Sequence, residues 1–321
     1  MRVLVTGGAG YIGSTAVAEL LARGYEVSVL DDCSSGHEDA VPSGATFIHG
    51  SLLDPASVQR AIAGCQGVIH FAAKSLVGES VLKPELYHEV NVGGTRILLS
   101  EMRKAGITKL VFSSTAATYG EPEAIPITED SSTNPTSPYG STKLEVDRMI
   151  TEAAKSGIAA ISLRYFNVAG ALQSEGGWLA ERHDPETHLI PNLLRASVES
   201  PLNIFGDDWP TQDGTCIRDY IHVVDLIDAH IAALEKLEMS KHLIINLGSG
   251  SGYSVMEVIR AASKVLGREI PSKITARRAG DPAILIADIS KAKTILGWSP
   301  LRSIEQMVSD TWESQNAANR S

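Results

Sequence analysis

The stretch Val3-Leu-Val-Thr-Gly7-Gly-Ala-Gly10-Tyr11-Ile12-Gly13 reads as a short apolar strand, a glycine turn and the start of a helix. Its glycines fall three residues apart, and each meets a physical demand. Gly7 permits the tight turn, Gly10 lets the backbone approach a pyrophosphate, and Gly13 lets the helix pack on the strand while its N-terminus offers amide donors. Alone, the pattern fits an ordinary strand-turn-helix as well as a dinucleotide site. The next apolar run, 27–30, ends in Asp31, where a carboxylate accepts hydrogen bonds from adenosine ribose hydroxyls. Asp31-Asp32-Cys33-Ser34-Ser35-Gly36 carries no cation to meet a 2′-phosphate, so the expected cofactor is NAD rather than NADP.

Outward from this unit, apolar runs at 46–49, 67–71, 110–113 and 160–164 alternate with helix-like segments. Continuous apolar runs suit strands buried on both faces, and intervening helices imply right-handed crossovers. The expected class is therefore α/β, a Rossmann doubly wound parallel sheet. After about residue 168 the pattern loosens into a Gly/Trp/charged stretch. We expect an NAD-binding domain over 1–168 and a smaller α/β substrate domain over 169–321, with late strands such as 243–247 free to return to the first sheet.

Composition narrows the function. A chain of 321 residues suits about two domains. The 38 acidic against 28 basic residues give a net charge of -10, which repels polyphosphate and argues against a nucleic-acid partner. No apolar stretch approaches the ~18 residues of a membrane span, and the first strand leaves no room for a signal peptide, so a cytoplasmic protein is expected. Cys33, Cys65 and Cys216 are scattered, with neither a CxxC pair nor a His cluster at metal-ligand spacing; we expect reduced thiols and no metal.

A second motif carries chemistry. Ser137-Pro138-Tyr139-Gly140-Ser141-Thr142-Lys143 precedes a helical pattern over 144–154. At a helix start, Tyr139 and Lys143 share one face, so an ammonium can lie beside a phenol and favour phenolate. A tyrosine of ordinary pKa, about 10, is a poor base near neutrality, and a neighbouring cation makes it usable. Such a pair alone is more often an exposed surface pair. Thr115 tips the balance: it follows the 110–113 strand, whose C-terminal end opens into the ligand crevice of a doubly wound sheet, where its hydroxyl can bond a reacting oxygen.

Together the glycine loop, Asp31, Ser113-Ser114-Thr115, Tyr139-xxx-Lys143 and Leu163-Arg164-Tyr165-Phe166-Asn167 resemble the extended short-chain dehydrogenase/reductases. His70-Phe71-Ala72-Ala73-Lys74, Val77-Gly78-Glu79-Ser80, Asn91-Val92-Gly93-Gly94-Thr95, Ile204-Phe205-Gly206-Asp207-Asp208 and Gly214-Thr215-Cys216-Ile217-Arg218-Asp219-Tyr220-Ile221-His222-Val223 narrow the resemblance to the UDP-glucose 4-epimerase family, over essentially the whole chain. That resemblance implies an isomerase interconverting UDP-glucose and UDP-galactose through a 4-keto sugar, with tightly held NAD. Tyr139 is then the acid/base, Lys143 tunes it and bonds the nicotinamide ribose, and Thr115 orients the 4-oxygen.

The resemblance also implies that NAD meets Gly7, Gly10, Tyr11, Ile12, Gly13, the Asp31–Gly36 stretch (Asp32, Cys33, Ser34 and Ser35 included), Ser51, Leu52, Phe71, Ala72, Ala73, Lys74, Asn91, Ser113 and Phe166. For the sugar nucleotide it selects Arg218 and Arg278 on the diphosphate with Asn167 nearby, Phe205 at the uracil, and contacts from His188, Leu189, Asn203, Ile204, Asp281 and Leu285. Departures are visible. Ser51 stands where many relatives have Asp, Lys74 falls one place early, and His188 stands where asparagine is common. Leu285, intermediate in bulk at the pocket wall, keeps a UDP-N-acetylglucosamine 4-epimerase, or another NAD-dependent nucleotide-sugar epimerase, as the alternative. A 4,6-dehydratase needs an Asp-Glu pair after the strand-end Thr, where this chain has Ala116-Ala117. A non-catalytic NAD sensor has no need of Tyr139, Lys143, Thr115 and both arginines together. Apolar residues over 92–102 and 144–154 suggest a homodimer seam, as in this family.

Overall fold

Residue alternation along the first strand divides the core in two. In the computed structural model, which describes residues 1–238, 241–278 and 281–318, strand β1 (Arg2–Thr6) sends fully buried Val3 and Val5 to one face of the sheet and Leu4 to the other. Val3 and Val5 pack with Val17 and Leu20 of the helix Tyr11–Ala22 and with Leu226 and Ile227 of the helix Val223–Glu235. Leu4 packs with Val58, Leu98 and Val146 of helices on the opposite side. Both faces are thus covered, the condition for a continuous apolar strand.

Five further strands belong to this layer: β2 (Glu26–Asp31), β3 (Thr46–His49), β4 (Gly67–His70), β5 (Lys109–Ser113) and β6 (Ala159–Tyr165). A seventh, His242–Leu247, comes from the second half of the chain and pairs with β6 along its whole length. The sheet order is His242–Leu247, β6, β5, β4, β1, β2, β3, every pairing parallel. Strand order reverses between β1 and β4, and there the crevice for a ligand opens at the strands' C-terminal ends.

Two helices differ from the sequence pattern. The one expected over 144–154 begins at Pro138, because Ser137 caps it, its Oγ accepting from Gly140 N at 3.1 Å. Tyr139 and Lys143 therefore sit inside the helix rather than ahead of it. The one expected over 92–102 is a widened turn, His88–Gly93, running into a regular helix, Gly94–Lys104. The widened turn carries Asn91 inward, 2% exposed, where its side chain bonds the main chain of Lys74 at 2.8 and 3.0 Å and Thr142 at 3.1 Å.

The remaining segments build a second core around Leu193, Val258, Ala262, Met307 and Val308, from the helices Leu189–Arg195, Val255–Leu266 and Ile304–Ala318. Short strands border it: Leu202–Phe205 beside Ser272–Thr275, and Ile217–Arg218 between Tyr253–Ser254 and Ile284–Leu285. Among the described residues, no helix is long and apolar enough to cross a membrane.

Candidate active site

The glycine turn is dictated by sterics at two of its three positions. Gly7 has φ +75°, and a Cβ there meets Ala72 N at 2.6 Å; a Cβ on Gly13 meets the Gly7 carbonyl at 2.0 Å. At Gly10 the closest atom lies 3.4 Å away, so the chain itself does not demand glycine there. Asp31 braces the turn, one carboxylate oxygen accepting from Ala9 N and the other from Cys33 N, each at 2.9 Å. Burial raises its pKa, against these two bonds.

A cavity runs from this turn along the strand ends. It is lined by Gly7, Gly10, Tyr11, Ile12, Gly13, Asp31, Asp32, Ser34, Ser35, Gly36, Ser51, Leu52, Phe71, Ala72, Ala73, Lys74, Ser113, Tyr139 and Lys143. Three residues expected at the cofactor are not on its wall. Cys33 has a positive φ of 54° and gives its amide to Asp31, Asn91 stands behind the wall holding Lys74, and Phe166 is half-buried next to Tyr165, which does line the cavity. The Tyr165 hydroxyl lies 2.5 Å from Ser113 Oγ. Ser51, in the place relatives give to Asp, turns its hydroxyl to Leu53 N at 3.2 Å, and the Lys74 ammonium donates to Ser34 Oγ at 3.1 Å.

Thr115, 9% exposed, is not on the cavity wall itself; its hydroxyl accepts from Ala117 N at 3.2 Å and stands close enough to the Tyr139 phenol to lower its pKa. Lys143, 3% exposed, donates from Nζ to the Ser113 carbonyl at 2.8 Å and lies 4.8 Å from the Phe112 ring centre and 6.0 Å from that of Tyr139. The expected ammonium beside the phenol is thus set back against the strand end. Burial pushes the Tyr139 phenol well above its ordinary range, with only the Thr115 bond opposing, and burial lowers Lys143 to about 8. Desolvation dominates, the neighbouring Tyr165 and Tyr87 phenols add to it, and the set-back lysine does not offset it, so in the chain alone Tyr139 is not the activated base that spacing suggested. One turn on, Asp147 receives the buried Arg164 guanidinium at 2.8 and 3.1 Å and anchors the helix to β6.

The second half supplies a different group, none of it on the cavity wall. The Arg278 guanidinium lies 3.8 Å over the Phe205 ring, and Arg218 Nη2 lies 3.7 Å from Asp281. Asp219, the acid next to Arg218 in sequence, is buried and accepts instead from the amides of Ser249, Gly250 and Ala287. Asn167 donates to the Asp219 carbonyl at 3.2 Å, and Leu285 stands opposite Arg218 in the strand register. Asn203 is exposed, but the Ile204 side chain, expected at the sugar nucleotide, is 4% exposed inside the second core; alternation along Leu202–Phe205 turns it inward and leaves only its main chain to a ligand.

His188 departs further from expectation. It precedes half-buried Leu189 at the start of the helix Leu189–Arg195, and its ring is held by acids: Nδ1 lies 2.5 Å from Glu181 and 3.3 Å from Glu186. His183 Nδ1 lies 2.7 Å from the same Glu181 oxygen. Burial opposes both charges, yet the carboxylates push His188 up to about 10 and the two imidazoles hold Glu181 down to about 2. The expectation of no His cluster at metal-ligand spacing is therefore corrected, since Glu181, His183, Glu186 and His188 converge. A search for paired cysteines or regular His spacing passes over them; the signal present was two His and two Glu within one short loop. His183 and Arg182 also line the cofactor cavity, which the sequence did not reveal.

Comparisons with known proteins agree with this geometry. The model of the NAD dependent epimerase/dehydratase family matches residues 3–248. The chain is 52% identical over 316 residues to a UDP-glucose 4-epimerase of Corynebacterium glutamicum, covering 97% of this chain and 95% of the relative. It is 50% identical over 318 residues to one of Streptomyces lividans, with the same coverage of 97% and 95%. The crystal structure of UDP-glucose 4-epimerase from Bifidobacterium longum in complex with NAD+ and UDP superposes with a TM-score of 0.90 at 38% identity, covering 99% of both chains. The glycine cradle, the strand-end hydroxyl and the helix-borne Tyr139 and Lys143 thus stand in a chain that belongs to the NAD dependent epimerase/dehydratase family.

Proposed function

We propose that the protein interconverts UDP-glucose and UDP-galactose by epimerisation at C4, with NAD held in the glycine cradle. The observation that carries this reading is that Tyr139 and Lys143 line the same cavity as Gly7, Gly10 and Gly13, with the Thr115 hydroxyl near the phenol behind them. Relatives at 52% and 50% identity with the same activity in their names support it. NAD, when bound, supplies the hydride acceptor and donor. Tyr139 takes the proton of the sugar 4-hydroxyl and later returns it, Thr115 orients that oxygen, and Lys143 holds positive charge at the strand end to favour phenolate. In the chain alone burial keeps the phenol protonated, so activation awaits the charges of the loaded site.

Gly10, free of any internal steric demand, leaves room for a pyrophosphate, and Asp31 offers its remaining lone pairs to the ribose. Arg278 and Arg218 take the UDP diphosphate, with Asn167 beside them, and Phe205 flanks the uracil. Residues 1–168, completed by His242–Leu247, hold most of the cofactor bed and the groups at the sugar 4-oxygen, while 169–321, beyond the edge of that bed formed by Ala180, Arg182 and His183, serve the rest of the sugar nucleotide. Leu285, opposite Arg218, sets the room for a sugar substituent. The helices Gly94–Lys104 and Pro138–Ala154 present Arg96, Leu99, Met149 and Glu152 around a common surface hollow, which suits a homodimer seam. The setting is cytoplasmic galactose metabolism.

Purified protein incubated with UDP-galactose, and separately with UDP-N-acetylgalactosamine, tests the reading. UDP-glucose is expected to form without added cofactor. Absence of conversion even with NAD supplied rejects it, and preferential conversion of the N-acetylated sugar reassigns the substrate.

A further inference from the structure

Glu181, His183, Glu186 and His188 each offer one ligand atom, and these four atoms lie within 4.8 Å of one another. They sit on the loop between the strand Gly177–Leu179 and the helix Leu189–Arg195. The two carboxylate side chains are 6% and 2% exposed, so their charge must be met by the neighbouring imidazoles or by a cation among them. Glu186 Oε1 accepts from the amides of Thr187 and His188, but its Oε2 has no hydrogen-bond partner. Both imidazole Nδ1 atoms, close as they stand to Glu181, also lack a hydrogen-bond partner. Nitrogen and oxygen donors drawn this close, off the line of a hydrogen bond and with one carboxylate oxygen left over, are free to turn toward something placed among them.

We propose that these four side chains form a structural site for a divalent borderline cation, zinc above all. Two imidazoles and two carboxylates match zinc's preference, whereas calcium and magnesium favour all-oxygen shells. Tetrahedral bonds of ~2.1 Å set neighbouring donors ~3.4 Å apart. The closest separations, 2.5, 2.7 and 3.3 Å, must open and the widest, within 4.8 Å, must close to reach that, which side-chain rotation can supply. The charge balances as well, because two buried carboxylates and two neutral imidazoles carry the opposite of a divalent ion. Four ligands from the chain close the coordination sphere, which assigns the ion to structure rather than to the reaction.

The position gives the ion its purpose. Arg182, between two ligands, forms a paired salt bridge with Asp39 at 2.9 and 3.0 Å, and Ala180, Arg182 and His183 line the cofactor cavity. The cation pins this second-half loop across the mouth of the dinucleotide bed, where it slows the escape of NAD.

Full-length, NAD-loaded protein, dialysed against chelator, is titrated with zinc chloride, metal content being read by plasma mass spectrometry and Tm by calorimetry. About one zinc per chain and a higher Tm are expected. The double variant His183→Ala, His188→Ala is expected to bind at least about tenfold more weakly and to lose the Tm response, and the near-isosteric Glu186→Gln to weaken binding while keeping the fold. No stoichiometric zinc in the parent overturns the proposal, as does undiminished binding in either variant, which places the metal on the thiols or the surface. None of these readouts depends on turnover, so they stand or fall separately from the epimerase reading.

Discussion

The two ends of the proposed active site are built on different principles. At the cofactor end the backbone is in command: Gly7 and Gly13 are fixed by contacts of 2.6 and 2.0 Å that any side chain would violate, and Asp31 spends both oxygens on main-chain amides. At the end proposed for the sugar nucleotide, off the cavity wall, the cations are already engaged by neighbours, Arg278 on the Phe205 ring and Arg218 near Asp281. One end is a mould whose shape exists before the ligand. The other is a set of exchangeable contacts in which a ligand oxygen must replace an existing partner, so its affinity is a difference between two pairings.

The comparison can be broken at several points. The largest effect is expected where the two ends meet: Tyr139→Phe should reduce turnover about 10²–10⁴-fold while leaving bound NAD and UDP affinity near the parent's, read by steady-state assay and UDP titration. Turnover within about threefold of the parent removes the phenol from proton transfer.

Next comes Gly13→Ala, which drives a methyl into the Gly7 carbonyl and should cost about 3 kcal/mol of stability together with retained NAD. Gly10→Ala, with 3.4 Å of clearance, should leave stability within about 0.5 kcal/mol and lose only NAD retention. Equal destabilisation of the two by urea denaturation would dissolve the distinction between a position held by the chain and one reserved for the ligand.

Lys143 allows a pH test. Its pKa falls from 10.5 to about 8 on folding, so the folded chain holds this proton less tightly than the unfolded one. The buried ammonium therefore destabilises at pH below about 8, by up to about 3 kcal/mol, and this penalty is lost as pH rises from there toward 10.5. In cofactor-free protein, Lys143→Met should be the more stable near pH 7, its advantage fading between about pH 8 and 10. A difference independent of pH contradicts the burial cost.

The smallest effect is expected at the exchangeable end. Arg278→Ala should weaken UDP binding by about 1.5–3 kcal/mol, tenfold or more in Kd, without changing retained NAD. Parallel loss of both would join the two ends into one unit.

Legibility in the sequence follows the same division. The glycine turn and the Tyr139–Lys143 pair are read from spacing because strand, turn and helix are rigid local geometries, and residue spacing within them fixes direction. That Arg218 faces Asp281 while its sequence neighbour Asp219 turns to the amides of Ser249, Gly250 and Ala287 follows from alternation along a strand, once that strand is known. Alternation likewise hid Ile204 while leaving Asn203 exposed. What spacing does not carry is depth: nothing local in Tyr139 announces that burial raises its pKa, or that Tyr165 rather than Phe166 reaches the cavity. Nor does a loop such as 180–188 reveal that its acids and imidazoles fold onto one point, because no repeating geometry ties position to direction there.

The strand His242–Leu247, lying beside β6, has a practical corollary. A gene cut after residue 168 yields an N-terminal fragment with a bare parallel edge where the last strand belongs, open to pairing with other chains. Neither fragment is then expected to behave as an independent folding unit, and reporters assembled from two pieces of this enzyme need their break in a surface turn rather than between its cofactor and sugar halves.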